Sequence, residues 1–83
     1  MAENSGKLRD NSSKYIELGY NIAYYRKHKG LTQEQLAEMC GEGVSRNHIQ
    51  RVENATAGCS VDLLIDIAKA LNIPLCKLFE FKE

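Results

Sequence analysis

The stretch LTQEQLAEMCGEGVSRNHIQRVEN, residues 31–54, contains two short helical patterns separated by a glycine-containing turn. Thr32 stands before the first pattern and Gln35 follows three residues later, which is the spacing of a capping box. Ser45 has the N-cap position of the second pattern. The two glycines of the turn can adopt positive φ angles, so they can redirect the chain between the helices. The predicted helices span residues 33–40 and 46–54.

The second of these helices is expected to have one apolar and one polar side. At 100° per residue, Ile49 and Val52 lie on the apolar side together with Glu53. Arginine can form paired hydrogen bonds with guanine edges, and Asn and Gln can do the same with adenine, so the polar side has the chemistry to read bases. A solvated surface is the alternative, because many exposed helices carry such residues. The polar side chains are Arg46, Asn47, Gln50 and Arg51.

Three further helical patterns flank this pair. Residues 15–28 have the apolar period of a helix, and a glycine follows as a stop signal. Ser60 is placed as the N-cap of a fourth helix, whose apolar stripe runs from Leu64 to Leu71. Pro74 can begin a short, very apolar fifth helix. No segment alternates apolar and polar residues, so the sequence predicts an all-α fold, a compact five-helix bundle.

Length and composition indicate one small globular domain without a membrane span. The chain has 83 residues, of which 43% are hydrophobic and 27% are charged. Residues 1–12 are rich in Asn, Ser and charge, so they are expected to form a disordered leader before a folded domain at 13–83. This leader lacks the apolar core of a secretory signal, and a cytoplasmic protein is expected. Eleven Lys and Arg balance eleven Asp and Glu, so any DNA binding must depend on local charge placement.

Neither a cofactor nor catalysis is expected. Cys40, Cys59 and Cys76 are odd in number and widely spaced, which indicates neither a disulfide framework nor a zinc site. They are interpreted as buried thiols. Asp62 and Asp66 lie on the polar side of the fourth helix without a His, Lys or metal-ligand companion, so they are most simply a solvated surface.

Two charges fall on helix sides that should be buried. Glu53 lies on the apolar side of the third predicted helix, and Arg26 lies at the edge of the apolar side of the first. Packing these helices together would desolvate both charges unless they meet. We therefore predict an interior Arg26–Glu53 ion pair, which fixes the orientation of the third helix on the first.

Several ordered motifs resemble those of phage-repressor-like, or XRE-type, helix-turn-helix transcriptional regulators. The matching segments are LGYNIAYYR, KGLTQEQLAEMCG, VSRNHIQRVEN and SVDLLIDIAKALNIPLCKLFEF, within residues 15–81. The resemblance implies a lambda-repressor-like DNA-binding domain that binds double-stranded DNA as a homodimer, with the third helix in the major groove of an inverted repeat. It also implies the Arg26–Glu53 pair. The DNA-contacting positions that it implies are Gln33, Ser45, Arg46, Asn47, Gln50, Arg51 and Asn54.

The chain departs from the family pattern in two loops. The turn GEGVS is two residues longer than the usual turn with one glycine, and Glu42 adds a negative charge there. The loop NATAGC has no Lys or Arg, and Ala55 and Cys59 stand where the family often has Gly and Pro. Both departures bear on the affinity for DNA, because each lost phosphate contact weakens binding.

Two surfaces suggest protein partners. Tyr20 and Tyr24 are four residues apart on the outer side of the first helix, which suits a protein interface, although covering the N-terminal leader is an equal alternative. They keep open a second function, a helix-turn-helix-shaped protein-interaction module, such as an antitoxin-like partner, with weak or no DNA binding. The apolar C-terminal end predicts a two-fold homodimer, unless its leucines serve the protomer core and only its phenylalanines are exposed. The predicted dimer residues are Leu75, Leu78, Phe79 and Phe81.

Overall fold

The computed structural model describes residues 11–81, which contain four α-helices, one 3₁₀ helix and no β-strand. The ten N-terminal residues of the predicted leader lie outside the described residues. None of the helices in the described range is long and apolar enough to cross a membrane. The elements are α1 (Ser12–His28), α2 (Gln33–Cys40), α3 (Arg46–Glu53), α4 (Val61–Leu71) and the 3₁₀ helix (Leu75–Phe79).

The first helix begins three residues earlier than the apolar period predicts. The backbone N–H groups of Lys14 and Tyr15 donate to the Asn11 carbonyl at 3.0 and 3.1 Å, which adds a polar first turn. Periodicity cannot detect such a turn, because it has no apolar residue to bury. The helix closes before Gly30, whose φ of +72° suits glycine, and the Leu31 N–H then donates to the Arg26 carbonyl at 3.1 Å.

The predicted capping box and N-cap within residues 31–54 are confirmed. The Gln35 N–H donates to Thr32 Oγ1 at 3.0 Å and the Thr32 N–H donates to Gln35 Oε1 at 2.8 Å, which completes the capping box of α2. Ser45 Oγ accepts from the His48 N–H at 3.1 Å and caps α3. Gly41 and Gly43 have φ angles of +107° and +88°, so the extended turn uses the freedom that glycine provides.

The prediction of a fifth α-helix is wrong, because the last element is a five-residue 3₁₀ helix. In a 3₁₀ helix, side chains three residues apart project in the same direction. Leu78 is fully buried and Leu75 is half-buried against the core, so this geometry brings both leucines inward. The Asn21 amide donates to the carbonyls of Leu78 and Glu80 at 3.0 and 3.2 Å, which ties the end of this element to α1.

One apolar core joins all five elements. Helix α1 approaches the end of α3 closely at Gly19. A Cβ atom at Gly19 would lie 2.4 Å from the Glu53 carbonyl oxygen and 2.7 Å from that of Val52. Helix α1 therefore requires glycine here to pack against α3. The fully buried side chains of the core are Ile22, Leu36, Ile49, Ile67, Leu71 and Leu78.

The exit from α3 places Ala55 at a φ of +62°, a conformation in which a non-glycine residue is strained by about 1 kcal/mol. The loop segment that follows is fixed to the end of α3, because the Thr56 N–H and hydroxyl donate to the Arg51 carbonyl at 2.8 and 3.2 Å. These bonds satisfy a carbonyl that the end of the helix leaves open. The loop thus keeps this backbone conformation although alanine occupies a position suited to glycine.

Candidate nucleic-acid interface

The polar side of α3 faces solvent because the apolar side of the helix is buried. Ile49 is fully buried and Val52 is 3% exposed, so these two residues fix the rotation of the helix about its axis. The opposite side carries exposed Arg46, Asn47 and Arg51 and half-buried Gln50. This arrangement follows the predicted helical period, and it brings two guanidinium groups and two amides onto one surface.

The beginning of this surface is partly organised before any ligand binds. Arg46 Nη1 donates to the Asn47 side-chain oxygen at 3.4 Å, a long contact that leaves the Asn47 amide hydrogens free to donate. Ser45 is exposed, and its oxygen is used by the helix cap, so its hydroxyl hydrogen remains available. Asn54 is exposed at the C-terminal end of α3, where it is the C-cap.

Arg26 and Glu53 form an ion pair in the interior. Arg26 Nε donates to Glu53 Oε2 at 2.7 Å, and Arg26 Nη2 donates to Glu53 Oε1 at 3.1 Å. The two side chains are only 10% and 5% exposed, so solvent screens the pair weakly. Arg26 Nη1 also donates to the Leu31 carbonyl at 2.7 Å. The guanidinium therefore connects α1 to α3 and to the chain that enters α2.

Gln33 joins the same network, which the sequence did not indicate. Its Nε2 donates to Glu53 Oε1 at 3.0 Å, so the Glu53 carboxylate accepts three side-chain hydrogen bonds in all. The predicted contact of Gln33 with DNA remains a prediction, and one of its two amide hydrogens is engaged within the protein. The other amide hydrogen and the open backbone N–H groups at the start of α2 are the remaining donors at this position.

The turn between α2 and α3 is exposed at all three residues of its tip, Gly41, Glu42 and Gly43. Val44 packs against the core directly after this tip, and Ser45 then caps α3. The additional residues therefore loop outward and leave the docking of α3 intact. Glu42 brings a negative charge close in sequence to the polar side of α3.

Two of the three cysteines are half-buried and the third is exposed. Burial, and secondarily the neighbouring Cys40 thiol, raises the pKa of Cys59 to about 11. Burial and the Asp66 carboxylate raise the pKa of Cys40, so both thiols stay protonated at neutral pH. The buried-thiol interpretation is wrong for Cys76, which is exposed because the 3₁₀ helix turns its leucines inward instead. Within residues 11–81, no group of three or more potential ligands is placed to hold a metal ion.

The C-terminal cluster divides between the core and the surface. Leu78 is fully buried inside the protomer, so its side chain has no surface to offer to a second copy. Leu75 and Phe81 are half-buried, and Phe79 is 45% exposed. The two phenylalanine rings meet edge to face at 6.1 Å. The apolar surface at this end is therefore formed by Phe79 and Phe81, with Leu75 beside them.

A family model and two proteins of similar sequence agree with this geometry. A family model described as Helix-turn-helix matches residues 22–78. The Competence pilus inhibition repressor of Acinetobacter baylyi is 32% identical over 68 residues, which are 82% of this chain and 60% of that protein. Control protein C.SmaI of Serratia marcescens is 41% identical over 61 residues, 74% of this chain and 70% of that protein. The chain thus spans three fifths of the length of the competence repressor.

Two solved structures share the fold. The restriction-modification controller protein C.AhdI from Aeromonas hydrophila has a TM-score of 0.79 and 30% identity, covering 86% of this chain and 100% of that chain. The hypothetical transcription factor NHTF from Neisseria has a TM-score of 0.73 and 29% identity, covering 80% and 74%. The chain belongs to the helix-turn-helix family of phage-repressor-like (XRE-type) DNA-binding transcription regulators.

Proposed function

We propose that the protein is a homodimeric regulator that reads an inverted-repeat operator with α3 in the major groove. The observation that carries this proposal is the outward polar side of α3, held in place by buried Ile49 and Val52 and by the Glu53 carboxylate. A helix fits the major groove, and Arg, Asn and Gln are the side chains that discriminate bases there. Zero net charge makes this local surface the main basis for binding.

The side chains of this surface take different roles. Asn47, Gln50 and Arg51 are assigned to base edges, because they project from the exposed side of α3. Arg46 is assigned to a phosphate or a base, since it lies in the first turn. The hydroxyl of Ser45 and the amide of Asn54 flank the helix and are assigned to the DNA backbone. Gln33 contributes mainly through the N-terminus of α2, where unpaired N–H groups favour a phosphate.

Arg51→Ala is expected to weaken binding to the operator by about 1–3 kcal/mol, roughly 5- to 150-fold, because a paired contact with a base is lost. Fluorescence anisotropy with the operator and with a scrambled duplex measures the change. Lys69→Ala is the matched control, because Lys69 is an exposed cation on α4. An equal loss in the Lys69 variant, or an equal loss on both duplexes, would show that Arg51 contributes only charge.

The homodimer is proposed through the C-terminal end of the domain. Phe79→Ser is expected to convert a dimer at tens of micromolar, a concentration range typical of weak complexes, into a monomer. The fold should persist, because Phe79 is 45% exposed and Leu78 retains the core contact. Sedimentation velocity gives the oligomeric state, and Met39→Ser, at a residue 54% exposed on α2, is the control. A monomeric wild type, or a dimeric Phe79 variant, would contradict this interface.

The regulated genes are proposed from a relative. The match that includes the whole C.AhdI chain favours control of restriction–modification genes, which its name describes for that protein. An operator upstream of a restriction or methylation gene supports this assignment. An operator beside unrelated genes leaves the DNA-binding proposal standing and contradicts the assignment of target.

A protein-interaction module is the second candidate function. It is favoured by Tyr20 and Tyr24, which are 65% and 43% exposed and whose rings stack at 6.4 Å. Exposed tyrosines combine an apolar ring with a hydrogen-bonding group, which suits an interface. If this is the main function, Tyr20→Ser should abolish the biological activity while Arg51→Ala leaves it unchanged. The DNA-binding proposal predicts a strong effect of Arg51→Ala.

A further inference from the structure

The Glu53 carboxylate, at the last residue of α3, is shared between two neighbouring helices. Its Oε2 atom accepts a hydrogen bond from Arg26 Nε of α1 at 2.7 Å. Its Oε1 atom accepts from Arg26 Nη2 at 3.1 Å and from Nε2 of Gln33, the first residue of α2, at 3.0 Å. The Glu53 side chain is only 5% exposed, so water competes weakly for these bonds. The end of α3 is therefore tied to α1 and to α2 at the same point.

The bond from Gln33 is a directional link between α2 and α3. Within residues 11–81, it is the one side-chain hydrogen bond that joins these two helices. Ile49 and Val52, the buried residues of α3, hold the helix by apolar contacts. Apolar contacts have no preferred direction, whereas a hydrogen bond weakens steeply when its angle or distance changes. Arg26 and Gln33 therefore restrict rotations of α3 that the apolar core alone would tolerate.

A small rotation of α3 matters for the reading of bases. Glu53 lies on the buried side of the helix, and Arg51, two residues earlier, lies on the exposed side. A rotation of about 15° moves a group about 6 Å from the helix axis by about 1.5 Å. A hydrogen bond to a base edge requires a donor–acceptor distance of about 2.7–3.2 Å, so a shift of this size breaks it. The anchoring of Glu53 therefore determines how well the exposed side chains meet the bases.

We propose that Gln33 is a positioning residue for base reading, and that it acts by holding Glu53 and thereby the rotation of α3. This inference rests on the proposed reading of DNA by α3. The phosphate contact proposed at the start of α2 comes mainly from backbone N–H groups, which a change of the Gln33 side chain leaves in place. The Gln33 side chain therefore contributes to discrimination between sequences more than to general affinity for DNA.

A positioning role and a phosphate-contact role predict different effects of the same substitution. Phosphate contacts carry no sequence information, so the loss of one weakens binding to every duplex and lowers the salt slope by about one unit. The loss of a positioning bond weakens binding to the preferred sequence alone, because only base contacts require the correct rotation of α3. The number of phosphate contacts, and with it the salt slope, then stays the same.

Gln33→Met tests this role, because methionine has a similar length and no hydrogen-bond donor. Fluorescence anisotropy of the full chain with the operator and with a scrambled duplex, between about 50 and 200 mM salt, measures affinity and salt slope. Affinity for the operator is expected to fall about 10-fold, the size of one lost base contact. Affinity for the scrambled duplex and the salt slope should stay unchanged, so the preference for the operator falls by the same factor.

Gln35→Met is the matched control, because it is the same substitution two residues further along α2. It removes the acceptor of the Thr32 N–H bond and leaves the bond from Gln33 to Glu53 intact, so the operator preference should persist. Circular dichroism verifies that both variants are folded. An equal loss on both duplexes, an unchanged operator preference in Gln33→Met, or the same loss of preference in Gln35→Met would overturn the positioning role. A wild type that prefers no duplex would overturn the DNA-reading proposal as well.

Discussion

Glu53→Ala is expected to destabilise the fold by about 3–5 kcal/mol, because it leaves the Arg26 guanidinium buried without a counter-charge. The Arg26 and Glu53 side chains are 10% and 5% exposed, so water cannot replace the lost carboxylate without moving the helices. Gln33 loses its hydrogen-bond acceptor as well. For a small domain with a total stability of about 5–15 kcal/mol, much of the folding free energy is lost. Urea denaturation at 25 °C measures the change.

Two further variants separate charge burial from other effects. Glu38→Ala removes an exposed carboxylate from α2 and should change stability by less than about 0.5 kcal/mol. Arg26→Met/Glu53→Leu removes both charges and should recover most of the stability, because a buried ion pair contributes orientation more than net stability. A Glu53→Ala protein within 1 kcal/mol of the wild type would contradict the proposed dependence of α3 on this pair.

Gly19→Ala is expected to lower the free energy of unfolding by about 2–3 kcal/mol, because its methyl group would collide with backbone rather than with a movable side chain. The added Cβ atom would lie 2.4 and 2.7 Å from the carbonyl oxygens of Glu53 and Val52. The gain of about 1 kcal/mol in helix propensity offsets only part of this cost. Relief requires α1 and α3 to separate, so operator affinity should fall together with stability.

Thermal denaturation provides the measurement, and a decrease in melting temperature of about 8–24 °C is expected for a domain of this size. Gly58→Ala is the control, because no atom lies within 4 Å of a Cβ at that position. An unchanged or raised melting temperature for Gly19→Ala would show that the helices can relax without cost.

The parts of the fold set by local signals could be predicted from the sequence. The bounds of α2 and the caps at Thr32 and Ser45 depend on residues within one helical turn, and all of them are confirmed. The polar first turn of α1 has no apolar period and was missed for that reason. The sequence does not distinguish the 3₁₀ helix from a short α-helix, because either type can bury Leu78 within five residues. Packing against the core decides between them.

In the candidate site too, some features follow from local sequence patterns and others depend on how the helices pack. The outward direction of Arg51 and the inward direction of Glu53 follow from helical period alone, and the structure contains the Arg26–Glu53 pair. The hydrogen bond from Gln33 to Glu53 depends on how α2 lies against α3, which no local pattern specifies. Gly19, a glycine on the apolar side of a predicted helix, is a sequence signal of such close helix contact.

The proposed role of the outer side of α3 is to read DNA sequence. Selection from a randomised duplex pool, at about 50 mM salt where phosphate contacts are least screened, measures this activity. The matched control is Asn47→Ala/Arg51→Ala, which alters two exposed side chains and no residue of the core. We predict that the wild type enriches one inverted-repeat sequence and that the control does not enrich it. Recovery of the same sequence by both proteins, or of none by the wild type, would contradict the claim.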